Sequence, residues 1–86
     1  MTKKDVTIQN EKGLHARPAT LFIQKANTFK SSVWVENGTR KANAKSLVGV
    51  LSLAVSKGDV ITLSAEGADE AEAVVGLSQL ISELED

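Results

Sequence analysis

The stretch SVWVENG, residues 32–38, decides how the rest of the chain is organised. Val33 and Val35 recur at every second position, which is typical of a strand with one buried face, and Trp34 is expected on the opposite face. The stretch ends in Asn37-Gly38, a strong signal for a β-hairpin because both residues tolerate positive φ. A short returning strand at about residues 39–44 would complete the hairpin. The centre of the chain is therefore predicted to be an antiparallel sheet.

The sequence before the hairpin predicts a strand followed by a helix. Residues 5–9 alternate polar and apolar side chains, so a strand with Val6 and Ile8 inward is expected. Residues 11–13 interrupt this pattern, and Pro18 suits the first turn of a helix, where its missing N–H costs little. The apolar residues that follow recur at spacings of three and four and predict an amphipathic helix: Ala19, Phe22, Ile23, Ala26 and Phe29.

The sequence directly after the hairpin is a short apolar run, residues 47–53, whose structure periodicity alone does not decide. Ser46 is a good N-cap residue and stands directly before the run. Gly49 is a poor residue for a helix interior, so the local helix propensity is low. We expect a short helix that begins after Ser46.

The last third of the chain predicts one more strand and one more helix. Residues 60–65 are rich in β-branched side chains and favour a strand. Asp69, followed three residues later by Glu72, resembles a capping box. Apolar residues at helical spacing then continue to the C-terminus, residues 71–86. The predicted order is βαββαβα, an α+β domain with a sheet on one side and helices on the other, although these patterns alone do not separate it from a ferredoxin-like domain.

Composition and charge exclude several classes of protein. The 86 residues are 42% hydrophobic and 24% charged, which suits one small globular domain, 1–86, and they include no cysteine for a disulfide framework or a zinc-thiolate site. The longest apolar stretch is too short to span a bilayer, and no signal-peptide region follows Lys3 and Lys4. We therefore expect a soluble cytoplasmic protein that is not bound to a membrane.

The charge is unevenly distributed along the chain. Residues 1–45 carry nine basic and three acidic groups, whereas residues 46–86 carry one basic and eight acidic groups. A basic first half favours an anionic ligand or an acidic partner. The chain has only three aromatic residues, too few for a stacking platform on single-stranded nucleic acid. A phosphate or protein ligand is therefore favoured over nucleic acid.

The only histidine, His15, lies at the break between the first strand and the first helix. This position places a nucleophilic imidazole beside the free N–H groups of a helix N-terminus, which bind oxyanions. Arg17 adds a guanidinium that can grip phosphate oxygens. From these residues alone, a site that accepts a phosphoryl group and an ordinary surface histidine both remain open. No second histidine or nearby serine forms a triad or a metal site, and no glycine-rich nucleotide loop is present, so we expect no metal and no cofactor.

Two motifs resemble those of a known family. Residues 13–19, GLHARPA, resemble the active-site signature of HPr, the histidine-containing phosphocarrier of the bacterial phosphotransferase system. Residues 43–49, NAKSLVG, resemble the family's second signature, around its regulatory serine. Length and element order also agree from end to end. The resemblance implies an open-faced β-sandwich, in which three helices cover one side of a four-stranded antiparallel sheet.

The resemblance also assigns a role to each residue of the first motif. His15 would accept a phosphoryl group on Nδ1 from phosphorylated Enzyme I, whose donor is phosphoenolpyruvate, and pass it to sugar-specific enzyme IIA domains. Arg17 would neutralise the phosphoryl charge. The backbone amides of Ala16 and Arg17 would hold the phosphoryl oxygens. The chain would then be a carrier, not an enzyme by itself, and we expect it to be a monomer.

The second motif implies regulation and docking. Ser46 would be the target of an ATP-dependent HPr kinase/phosphorylase, and the modified form would act as a corepressor for a catabolite-control transcription factor. Leu47, Val48 and Leu51 would form part of the docking surface for partners. Many relatives have methionine at the positions of Val48 and Leu51, and a small polar residue in place of Lys12. These differences bear on partner preference.

Three other interpretations remain. An HPr-like protein could act chiefly as a coeffector through Ser46, although such a protein does not need the nucleophile His15. The nitrogen-related branch of the family uses the same histidine for signalling. Outside the family, a small nucleic-acid binder would show a salt-dependent affinity for DNA or RNA. The net charge of −1 and the few aromatic residues count against that third interpretation.

Overall fold

A computed structural model of the chain, which describes residues 1–84, shows four strands and three helices in the predicted order βαββαβα. In chain order the elements are β1 (Thr2–Thr7), α1 (Ala16–Ala26), β2 (Ser32–Asn37), β3 (Arg40–Asn43), α2 (Leu47–Ser52), β4 (Val60–Glu66) and α3 (Glu70–Ser82). The predicted fold class, an open-faced sandwich of a four-stranded antiparallel sheet and three helices, is confirmed. No helix within residues 1–84 is long and apolar enough to cross a membrane.

The four strands form one antiparallel sheet in the order β1-β4-β2-β3. Val35 pairs with Leu63 of the central strand β4, and both side chains are fully buried. Trp34 pairs with Ser64 on the opposite face, where the indole is half-buried, as the alternation of the sequence predicts. One face of the sheet therefore packs against the helices and forms part of the core, and the other face is not covered by a helix of the described residues.

The core lies between the sheet and the three helices. Its largest fully buried side chains come from both layers and from the segments beside them: Phe22, Ile8, Leu14, Ile61, Leu63 and Leu77. The predicted stripe of α1 is buried at Ala19, Phe22 and Ala26. The helix ends at Ala26, so the prediction that Phe29 belongs to it is wrong. Phe29 instead packs half-buried after the helix, with the Lys25 ammonium 5.7 Å from its ring centre.

The first strand lies earlier in the chain than predicted. It spans Thr2–Thr7, whereas alternation favoured residues 5–9. Ile8 is buried although it has left the strand, because its backbone continues to bond across the sheet end. Its N–H donates to the Asp59 carbonyl at 2.8 Å, and its carbonyl accepts from the Gly58 N–H at 2.8 Å. Alternation identified the buried residue correctly but not the limit of the strand.

The hairpin turn is shifted by one residue from the predicted Asn37-Gly38. Asn37 is still part of the ladder, paired with Arg40, and the two-residue turn is Gly38-Thr39. Only Gly38 needs positive φ, at +64°. Asn37 remains in the strand while its side-chain amide bonds to the Leu53 carbonyl, a partner that is distant in sequence. The turn signal therefore located the hairpin but not its central pair.

The predicted capping box at the start of α3 is wrong. Asp69 is the N-cap residue, but its carboxylate makes no cap hydrogen bond within the helix. It instead accepts from the N–H groups of Lys30 and Ser31, both at 2.9 Å, and from the Ser31 hydroxyl. The Asp69 side chain therefore fastens the connection between α1 and β2 to the start of α3. The predicted continuation of the helical pattern into residues 85–86 lies outside the described residues.

Candidate functional site

His15 is the N-cap residue of α1, at the end of the loop that leaves β1. Its backbone is extended, with φ −92° and ψ −168°, and its side chain is exposed. The helix begins at Ala16, directly after it, as Pro18 predicted. The imidazole is therefore held at the tip of a helix without being buried.

The two residues before His15 are firmly held. Leu14 is buried, and its N–H donates to the Val55 carbonyl at 3.2 Å. Gly13 has φ +60°, and a Cβ at this position would lie 2.1 Å from the Val55 carbonyl oxygen. Glycine is required here by both its conformation and its close contact. The Gly13 carbonyl also accepts from the side-chain amide of Asn10 at 2.8 Å.

The first turn of α1 presents two free backbone donors. Pro18 has no N–H, and the Ala19 N–H already donates to the His15 carbonyl at 2.9 Å. The N–H groups of Ala16 and Arg17 have no hydrogen-bond partner within residues 1–84. The turn contains no acidic side chain that would compete for them. Two N–H groups beside an exposed imidazole, at the positive end of a helix dipole, form a place for two oxygens of an anion.

Arg17 is exposed at the second position of α1, two residues after His15. Within residues 1–84 its guanidinium makes no ion pair or hydrogen bond. The chain's other arginine is engaged differently, because Arg40 donates from Nη1 to the Ser52 carbonyl at 3.1 Å. Arg17 is thus the arginine that is available to an incoming anion.

Ser46 is the N-cap residue of α2. Its hydroxyl oxygen accepts from the Gly49 N–H at 3.2 Å, so the predicted cap is present. The residue is half-buried, which leaves part of its side chain at the surface. Lys45, beside it, donates from Nζ to the Phe29 carbonyl at 2.8 Å.

Apolar side chains are exposed on α2 and on the neighbouring helix α1, which packs against it. Val48 is 79% exposed, Leu47 42% and Leu51 37%. Sequence reasoning identified these three but missed Leu21 of α1, which is 45% exposed. The signal for Leu21 was its place outside the apolar stripe of α1, where a leucine gains nothing from the core. We define the exposed side chains of Leu21, Leu47, Val48 and Leu51 as the apolar surface.

The side chain of His15 lies exposed at the surface. A groove of about 570 Å³ lies elsewhere, between β1 and α3, and its lining includes Lys4, Val75 and Gln79 but none of the predicted site residues. The described part of the chain also contains no group of three or more histidine, cysteine or acidic residues that could hold a metal ion. An exposed imidazole suits contact with another protein better than capture of a small molecule.

Comparison with known proteins gives the family of the chain. The family described as "PTS HPr component phosphorylation site" matches residues 2–83. The phosphocarrier protein HPr of Neisseria meningitidis is 48% identical over 82 residues, which cover 95% of this chain and 92% of that protein. The HPr-like protein Crh of Halalkalibacterium halodurans is 47% identical over 81 residues, which cover 94% and 96%.

Solved structures give the same result for the fold. HPr-C-His from Thermoanaerobacter tengcongensis has a TM-score of 0.93 and 52% identity, with 95% of this chain and 92% of that chain covered. The dimer of Crh from Bacillus subtilis, described as having a swapping domain, has a TM-score of 0.77 and 47% identity, with 96% and 95% covered. Since the family match spans residues 2–83 and the architecture is shared, the chain belongs to the HPr family of phosphocarrier proteins.

Proposed function

We propose that this chain is a cytoplasmic phosphocarrier that accepts a phosphoryl group on His15 from phosphorylated Enzyme I and passes it to enzyme IIA domains of sugar transport. One observation carries the proposal. The exposed imidazole of His15 lies at the N-terminus of α1, directly beside the N–H groups of Ala16 and Arg17, which have no partner in the described part of the chain. A nucleophile and an anion-binding helix end are thus adjacent on open surface.

The transfer follows from this arrangement. The lone pair of Nδ1 attacks phosphorus and a P–N bond forms, while the bond between phosphorus and the donor breaks and its electrons stay with the donor. The amides of Ala16 and Arg17 donate to two phosphoryl oxygens, and the Arg17 guanidinium offsets their charge. Onward transfer is the same step with the acceptor as nucleophile. The chain needs a donor and an acceptor protein, so it is a relay component and not an enzyme by itself.

The apolar surface is the proposed docking site for Enzyme I and enzyme IIA domains. It lies on α2 and α1, and His15 is the N-cap of α1, so a partner that covers these helices meets the imidazole. Val48, at 79% exposure, has the most to gain from such a contact. The apolar side chains and the open site together favour a protein as the phosphoryl donor.

Ser46 is the proposed second layer of control, through an HPr kinase/phosphorylase and a catabolite-control transcription factor. A phosphate at this N-cap is compatible with the helix, because the N-terminal end of a helix favours negative charge. It would place a dianion beside Leu47 and Val48 and so alter the surface that partners contact. Capping and regulation by Ser46 are therefore compatible.

A second candidate function is supported by the comparisons. The chain is 47% identical to HPr-like Crh and 48% identical to HPr, so overall similarity does not separate a coeffector from a carrier. A signalling member of the family's nitrogen branch would also use His15. The exposed His15 favours the carrier, because a coeffector that works through Ser46 has no need of a nucleophile.

The experiment is an intact-mass measurement after incubation with Enzyme I and phosphoenolpyruvate. We expect one acid-labile phosphoryl group on the wild type and none on His15→Ala. The His15→Ala variant should keep its melting temperature nearly unchanged, because the side chain is exposed and caps nothing. If the wild type gains no mass, the carrier function is refuted for this donor. A second incubation, with ATP and HPr kinase, then tests for an acid-stable group on Ser46.

A further inference from the structure

Residues 53–59, which connect α2 to β4, support the loop that carries His15. The loop is bonded to this support segment on both sides of its turn. On one side the Ile8 N–H donates to the Asp59 carbonyl at 2.8 Å, and the Gly58 N–H donates back to the Ile8 carbonyl at 2.8 Å. On the other side the Leu14 N–H donates to the Val55 carbonyl. The place of the His15 loop therefore depends on the shape of the support segment.

A single side chain bonds to both ends of the support segment. Asn37, half-buried at the end of β2, donates from Nδ2 to the Leu53 carbonyl at 3.1 Å and to Oδ2 of Asp59 at 3.3 Å. The same Asp59 oxygen accepts from the Ser56 N–H at 2.9 Å, inside the segment. The side-chain amide of Asn37, on β2, thus holds the two ends of the support segment together.

The support segment contains a residue in a strained conformation. Ala54 has φ +51°, the only positive φ of a non-glycine residue within residues 1–84. Alanine adopts this region at a cost, so it persists where the surrounding structure holds it. Leu53 before it is held by Asn37, and Val55 after it is held by Leu14. The strained residue, Ala54, therefore lies between the residue that Asn37 contacts and the residue that contacts the His15 loop.

We propose that the side-chain amide of Asn37 is a positioning group for His15. By tying Leu53 to Asp59 it fixes the Val55 carbonyl, which in turn fixes Gly13 and Leu14 and so the direction in which His15 leaves the loop. Asn37 touches no reacting atom and acts only through this chain of backbone contacts. The proposal rests on the proposed phosphoryl-acceptor function, which it extends to a residue on the hairpin.

The test is Asn37→Ala, measured by the kinetics of phosphoryl acceptance from phosphorylated Enzyme I well below the melting temperature. We expect the kcat of Enzyme I, with this chain as the phosphoryl acceptor, to fall about tenfold while the KM for the chain stays unchanged. The reason is that the imidazole loses its alignment while the docking residues stay in place. We also expect the Leu14 N–H to exchange faster with solvent. A purely structural role would lower the melting temperature and leave kcat unchanged.

The matched control is Asn27→Ala. Its amide also donates to a backbone carbonyl, that of Ile23 at 2.9 Å, but at the far end of α1 and with no bond to the support segment. This control should keep the wild-type kcat and the wild-type Leu14 exchange. An equal loss of kcat in Asn27→Ala and Asn37→Ala would overturn the proposal, as would wild-type kcat in Asn37→Ala.

Variants of Asp59 provide a second test of the proposal if Asn37→Ala fails to fold. Asp59→Ala removes the oxygen that Asn37 and Ser56 share and should slow acceptance, whereas Asp59→Asn keeps an acceptor oxygen and should restore most of the rate. Equal rates in the two variants would contradict the proposal. If the wild type accepts no phosphoryl group at all, the proposed function fails, and Leu14 exchange alone then decides. Unchanged exchange in the folded Asn37 or Asp59 variant overturns the positioning role.

Discussion

Arg17 is the residue at which the kind of positive charge should matter most. Its guanidinium has no partner among residues 1–84, and its planar fork can hold two phosphoryl oxygens at once, which a lysine ammonium cannot. We expect Arg17→Lys to slow phosphoryl acceptance roughly tenfold, the factor that corresponds to about 1.4 kcal/mol of lost transition-state stabilisation. The measurement is the acceptance rate from phosphorylated Enzyme I.

Arg40→Lys is the matched control, because it makes the same chemical change at the chain's other arginine. Arg40 binds the Ser52 carbonyl and not the His15 site. Its replacement should leave the acceptance rate close to that of the wild type. A wild-type rate in Arg17→Lys would remove Arg17 from the site.

Ala54 offers a prediction about stability. A left-handed conformation costs a non-glycine residue about 1–2 kcal/mol. Glycine avoids that cost but loses about 0.4–1 kcal/mol through its greater freedom in the unfolded chain. We therefore expect Ala54→Gly to raise the free energy of unfolding by about 0.5 kcal/mol in urea denaturation. Ala68→Gly is the control, since Ala68 is exposed in a turn without positive φ and should gain nothing.

The candidate site could be predicted from sequence to the extent that it is local. His15, Arg17 and Pro18 lie within four consecutive positions, and Ser46 caps the helix that directly follows it. Asn37 could not be found in this way, because its partners are Leu53 and Asp59, which only the fold brings near. The pattern of the hairpin explained Asn37 as a turn residue, but its side-chain hydrogen bonds to the segment between α2 and β4 give it a different role.

At the scale of secondary structure, the link between Asp69 and the connection from α1 to β2 should make stability depend on acid pH. Hydrogen bonds from the Ser31 hydroxyl and the Lys30 N–H lower the pKa of Asp69 from 3.8 to about 2. The folded state therefore keeps the carboxylate charged at a pH where the unfolded chain has protonated it. The stability from this link is complete above about pH 4 and is lost as the pH falls towards 2.

The corresponding measurement compares melting temperatures of the wild type and Asp69→Asn between pH 5 and pH 2. Asparagine keeps an acceptor oxygen but has no charge to lose, so the variant should be less stable at neutral pH. The difference between the two proteins should shrink as the pH falls, because the wild-type carboxylate becomes neutral as well. A difference that stays constant over this range would show that the charge of Asp69 contributes nothing.

Element order was predictable because each element has its own local signal, whereas element limits depend on distant partners. β1 begins at Thr2 because residues of β4 as far as Ala65 are available for pairing with it. The carboxylate of Asp69 leaves its own helix because backbone N–H groups of Lys30 and Ser31 lie within reach. Neither partner can be recognised from the neighbouring sequence.

For the whole molecule, the two edges of the sheet have a common feature. The order β1-β4-β2-β3 leaves β1 and β3 with one neighbour each, and each carries two consecutive basic residues, Lys3-Lys4 and Arg40-Lys41. Lys4 pairs with Leu63, so it lies on the helix-covered face of its edge strand. Charges placed on an edge, especially on the inner face, oppose pairing with the edge of another molecule.

We therefore expect the wild type to remain a monomer of 9.1 kDa at increasing concentration, in light scattering coupled to size exclusion. A solved HPr from Thermoanaerobacter tengcongensis is a dimer, so the monomer is not guaranteed by the family fold. Lys4→Val removes the inner charge from β1 and should produce a dimer as the concentration rises. Lys30→Val, an equal change in an exposed loop, should not. If Lys4→Val stays monomeric at every concentration, the charge of Lys4 on the edge strand is not what prevents association.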